Sequence, residues 1–164
     1  MKLQLIIAIT GLSLSCLGHA APKTPIKTPE LIAFGQSVKS IKNKLKNACE
    51  HLKIQSIDPP EIPGTINTQT QLDCHGFEFA GKHRLAEFVF KDDALFLTWI
   101  LIEANEIEMM EHNLNLTYGK AKYQNPTFSA FTQQRTALRK DVPELLFYSE
   151  EAAPQFEGWF QSAE

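Results

Sequence analysis

The chain has 164 residues, 43% of them hydrophobic, with 16 Lys and Arg against 19 Asp and Glu and a formal net charge of −3. A weakly negative chain argues against nucleic acid as a general partner. Its length suits one domain with a real core.

Residues 1–20 read as a secretory signal. Lys2 supplies the positive start, Leu3 to Leu17 the apolar run, and Gly18-His19-Ala20 the small residues that precede cleavage. The mature chain is therefore expected to begin at Ala21, in the periplasm or outside the cell. The apolar run is too short to span a bilayer, and a lipoprotein motif centred on Cys16 would want Leu where Ser13 stands. Residues 21–28 form a Pro- and Lys-rich leader expected to be mobile, and residues 29–164 a single α+β domain.

Leu31, Phe34, Val38, Ile41, Leu45, Ala48 and Leu52 recur at spacings of three and four, one apolar helical stripe. The helix starts either at Thr28 with Pro29 in its first position, or at Ser37 after a short strand over 31–34 and a turn at Gly35. The second start is preferred, because glycine is costly inside a helix. Pro59, Pro60 and Pro63 make residues 58–64 a loop. Strands are expected over 65–74, 77–80, 83–91 and 94–102, with turns at Gly81-Lys82 and Asp92-Asp93. A second helix covers 103–118 and stops at Gly119. Two more strands cover 128–139 and 145–148, and the tail 152–164 is punctuated by Pro and Gly. The expected fold is one antiparallel sheet of five or six strands with two main helices on one face, in the order α-β-β-β-β-α-β-β. This layout, with the Phe34-Gly35-Gln36-Ser37 entry to a helix, resembles small exported α+β binding modules such as those of outer-membrane assembly lipoproteins and secreted β-lactamase inhibitors. The resemblance is one of layout and assigns no family.

Cys16 leaves with the signal, so the mature chain keeps Cys49 and Cys74. An even pair in an oxidising compartment reads as a disulfide, with a contribution of about 3–3.5 kcal/mol on the chain-entropy estimate. His51 and His75 stand close to the two cysteines, so a metal site is the competing reading. No CxxC pair supports it, and no metal or other cofactor is expected.

Catalytic motifs are missing. There is no G-x-S-x-G elbow, no phosphate loop and no calcium loop. Glu103, Glu106 and Glu111 read as a solvated helix face, and His83-Arg84 as surface chemistry at a strand start. Lys39, Lys42, Lys46 and Lys53 form a stripe beside the apolar one, either a solvated flank or a surface for an anionic partner. Residues 21–53 carry seven Lys against Glu30 and Glu50, whereas residues 140–164 carry Lys140 against six acidic residues; the two ends are expected to attract each other. In the tail, Phe156, Trp159 and Phe160 either dock on the protein's own core or anchor a partner. The expected function is an exported, non-enzymatic binding or inhibitory module acting on a protein or a small amphipathic ligand. The alternative is an envelope assembly factor touching anionic membrane through the lysines, and a hydrolase stands third.

Overall fold

The computed structural model describes residues 25–162; the expected signal, the cleavage point and residues 21–24 of the leader lie outside them. Of the leader, Ile26 is buried in the main core, and its backbone N–H donates to Thr117 Oγ1 at 3.2 Å. Gly35, at φ +77, turns the chain, and its neighbourhood is tied to the sheet by the Gly35 N–H to Leu95 O bond of 3.0 Å and the Leu95 N–H to Gln36 O bond of 2.9 Å. Ser37, in extended backbone, accepts the Ser40 N–H on its hydroxyl and starts α1, Val38–Leu45. The second of the two expected starts is thus the observed one, although residues 31–34 form no strand.

The helix stops seven residues short of the expected end. Ala48 and Cys49 both bond back to Leu45 O, and the chain turns into β1, His51–Ile57, which pairs with β2 along its whole length. Leu52 faces the same side as Cys74 in that ladder, so an apolar residue that fitted a helical stripe serves a strand instead. β2, Gln69–Phe79, is continuous where two strands were expected. A bulge at Gly76 (φ +79) accounts for the apparent break. Two tight turns, at Ala80-Gly81 and Asp92-Asp93, all four residues with positive φ, lead to β3, Lys82–Lys91, and β4, Ala94–Leu101. A single 3₁₀ turn at Ala104–Glu106 enters α2, Ile107–Tyr118, which Gly119 ends at φ +82.

β5, Tyr123–Gln124, β6, Phe128–Phe131, β7, Thr136–Arg139, and β8, Glu144–Tyr148, complete an antiparallel sheet in the order β1-β2-β3-β4-β8-β7-β6-β5. The expected single strand over 128–139 is a hairpin, reversed by Thr132–Gln134 and Arg135 at φ +48. The sheet therefore has eight strands rather than five or six. The chain closes with α3, Ala153–Ser162, where an irregular tail was expected; Pro154 sits in its first turn, where a missing N–H costs nothing.

Both faces of the sheet are covered, not one. Ile41 and Leu45 of α1 and Met110 and Leu114 of α2 join Leu72, Phe88, Phe90, Ile100 and Phe147 in the larger core. On the other face α3 seals Leu97, Phe128, Ala137, Leu146 and Tyr148 beneath Phe156 and Phe160.

Candidate functional site

β1 begins at His51, opposite His75, but β2 runs on to Phe79. Beyond His51 the edge of β2 is left to the irregular segments on either side of α1. They border an open cavity of about 510 Å³, lined by Pro29, Glu30 and Leu31 before the helix, Asn47 to Glu50 after it, Gly76 to Glu78 of β2, and His83 of β3. Leu31, Ala48, Cys49 and Phe77 are apolar lining residues; Glu30, Asn47, Glu50, Glu78 and His83 are the polar ones.

Local chemistry holds this shape. The disulfide joins Cys49 and Cys74 with Cα atoms 5.2 Å apart and clamps the wall to buried β2. Glu50 donates its N–H to His75 O at 2.8 Å, and its side chain crosses Gly76 to reach His83, Oε1 to Nδ1 2.7 Å. A Cβ on Gly76 would lie 2.5 Å from Glu50 Cγ, so glycine is required here by both space and φ. That glycine, inside a strand, is the signal in the sequence that marks a close approach.

The structure disperses several sequence candidates. Lys39, Lys42 and Lys46 stand exposed on and just after α1, whereas Lys53 lies on β1, facing the side of Asp73 and donating to Gln55 Oε1 at 2.9 Å. The four-residue stripe is thus broken by the end of the helix. The acidic tail does not meet the basic start in the described ion pairs: Glu151 pairs with Lys91 at 2.7 Å and Glu157 with Lys122 at 2.9 Å. Phe156 and Phe160 are buried under α3, with Trp159 half-buried against Phe128 and Trp99. His51 and His75 face each other across the strands, ring centroids 5.8 Å apart and planes tilted by 38°, but the disulfide consumes the thiols, and no group of three or more His, Cys, Asp or Glu that could hold a metal occurs among the described residues.

Two buried polar groups were read as surface. Arg84 forks onto Glu106, Nη1 to Oε2 2.8 Å and Nη2 to Oε1 2.9 Å, while its Nε donates to Phe79 O at 3.0 Å. Both side chains are almost fully covered, 3% and 7% exposed. The guanidinium outweighs the burial and holds the Glu106 carboxyl down to about 2. Elsewhere, the buried Ser129 donates to Glu111, and Lys140 Nζ donates to Ser129 Oγ at 3.3 Å. A serine whose hydroxyl accepts from an ammonium and is sealed from solvent is arranged to pin α2 to the β6–β7 hairpin, not to attack a substrate.

Among the described residues no helix is long and apolar enough to cross a membrane. The disulfide is consistent with an oxidising compartment. No curated protein and no solved structure matches the chain. Residues 30–149, which run from the cavity wall before α1 through β8 and leave out α3, match the model of a family described as "Uncharacterised protein", and the chain belongs to that family.

Proposed function

We propose that the protein is exported, into the periplasm or beyond, and serves there as a non-enzymatic binding module for a small amphipathic ligand with a cationic head. The observation that carries this reading is the cavity beside the disulfide. Its volume of about 510 Å³ falls in the range of small-molecule sites, and a mostly apolar lining with a few polar groups is their usual composition. The ligand's tail would lie on Leu31, Ala48 and Phe77, and its head among Glu30, Glu50 and Glu78. Three carboxylates against one histidine favour a cation over an anion.

Calorimetric titration with hexylammonium, hexanoate and hexanol tests this reading. Hexylammonium should bind best, Glu78→Gln should weaken it, and Ala48→Trp, which fills the cavity, should abolish it. Binding of none of the three probes, or binding indifferent to Ala48→Trp, refutes the reading. Export itself predicts a mature protein starting at Ala21, read by mass spectrometry. The assembly-factor alternative rests on Lys39, Lys42 and Lys46, which are exposed and have no ion-pair partner among the described residues. It requires salt-sensitive binding to anionic vesicles that disappears when all three become Glu.

A further inference from the structure

A second surface lies at the other end of β1. Its seven residues put about 20 Å between the cavity and the connection to β2, at about 3.3 Å per residue. Antiparallel neighbours are joined by two to five residues in an ordinary hairpin, yet residues 58–68 spend eleven. Long ordered loops of this kind are where binding residues concentrate.

The loop is tied down at both of its ends. Gln69 Oε1 accepts the Glu61 and Ile62 N–H groups at 2.7 and 2.8 Å, and Ile62 packs against the core under α3. Thr65 bonds back to Ile62 O through both its N–H and its hydroxyl. The Asp92 carboxylate, on the β3–β4 turn, gathers the N–H groups of Ile66, Asn67 and Thr68, at 2.9, 2.6 and 3.1 Å, while Asp92 N–H returns to Thr68 O at 2.8 Å. Those backbone donors hold the Asp92 carboxyl below its usual range, so the clamp is ionised at neutral pH. At the tip of this clamped segment stands Ile66, 85% exposed, well beyond the other exposed large apolar side chains among the described residues, the next being Leu116 at 57%.

A tether that merely closed the hairpin would have no use for a rigid backbone holding an aliphatic side chain in water. Ordering a loop before contact lowers the entropy cost of association, and binding energy concentrates in single anchors that fill a pocket. The surroundings fix the chemistry of the other side. Asp58, Glu61 and Asp93 are exposed, residues 58–68 contain no Lys or Arg, and Lys91, beside Gly64, is already paired with Glu151. Such a tip repels an anionic membrane surface.

We infer that residues 58–68 are a preorganised protein-recognition loop, with Ile66 as the anchor for an apolar pocket rimmed by basic groups on a partner protein. The surface is independent of the cavity, and either can fail without the other.

The test uses the full exported chain in its native host, with a photocrosslinking amino acid at Asn67, which is exposed beside the anchor. One discrete protein adduct is expected. Ile66→Asp should cut its yield at least about tenfold, the loss of one central anchor, and Ile66→Val should largely restore it. Leu116→Asp, at the other exposed aliphatic site, should leave it unchanged. Raising the salt should weaken it. Absence of a protein adduct, an adduct with lipid alone, or a yield indifferent to Ile66→Asp overturns the proposal. A melting temperature within a degree or two of wild type establishes that Ile66→Asp folds.

Discussion

Glu106→Gln should be among the most damaging single changes of one polar atom in this protein. The carboxyl sits at about 2 rather than its ordinary 4.5, a difference worth about 3 kcal/mol of folding stability at neutral pH. The structure supplies the cause: two short bonds from Arg84, a third from the Glu103 N–H at 2.9 Å, and Lys82 Nζ at 3.2 Å on the outer side. The amide keeps the shape and loses the charge, leaving the Arg84 guanidinium buried without a counterion. We expect a loss of about 3 kcal/mol in urea unfolding at pH 7, and a melting temperature lower by about 10 °C for a domain of this size. The pH dependence has a fixed sign. The folded pKa is depressed, so the stabilisation is complete above about 4.5 and is lost as the pH falls through about 2. The gap between wild type and Glu106→Gln should therefore narrow as the pH falls from about 4.5 and be mostly closed only near pH 2. The double change Arg84→Met with Glu106→Leu should recover most of the loss, since an apolar pair leaves no unpaired charge. A deficit under 1 kcal/mol at pH 7, or an equal deficit at pH 7 and pH 2.5, would refute the reasoning.

Three further changes have readouts of the same kind. Joint replacement of Cys49 and Cys74 by Ser should cost about 3.5 kcal/mol for the loop of 25 residues that the disulfide closes, and non-reducing peptide mapping should recover the linked pair from wild type. Thr98 Oγ1 is buried with no hydrogen-bond partner among the described residues; Thr98→Val should stabilise the fold by about 1 kcal/mol, read as a higher urea midpoint, because it removes an unsatisfied group and keeps the shape. Ending the chain after Ala153 removes Phe156 and Phe160 from the core under α3, each worth about 1.5–3 kcal/mol, and should lower the melting temperature by about 10 °C or more in a thermal scan.

Much of the order of elements was legible because it is written locally. Gly35 and Ser37 marked the start of α1, Gly119 marked the end of α2, and Asp92-Asp93 marked a turn; each works through its own backbone or side chain. What was not legible depends on partners distant in sequence. Arg84 and Glu106 look like any charged pair until a sheet and a helix bring them together 22 positions apart. The tail's Pro154 and Gly158 suggested punctuation, although Ala152, Phe156 and Phe160 recur every four residues and face the sheet. Pro154 is tolerated at its place in the first turn, and Gly158 has open space around it, so neither breaks the helix.

The end of α1 is the most consequential of these misreadings, because the candidate site depends on it. Ala48 and Leu52 satisfy a period of 3.6 measured from Leu45, while Leu52, Ile54 and Ser56 alternate with His51, Lys53 and Gln55 along β1. Local preference does not separate these readings; the ladder to β2 does, by pairing all seven residues of β1 at once. Asn47 to Glu50 instead bend away from the helix axis, with Ala48 and Cys49 both bonding back to Leu45 O. The helix ends at Leu45, and Cys49, four residues on, reaches Cys74 with the Cα atoms 5.2 Å apart. β1, in turn, starts at His51, so the last four residues of β2, Gly76 to Phe79, have no β1 partner. The cavity occupies the place of that missing pairing, with Gly76 admitting the Glu50 side chain and the disulfide fixing the wall. The candidate site is thus built where helix gives way to strand, and the same long-range pairing that hid the boundary in the sequence creates the cavity.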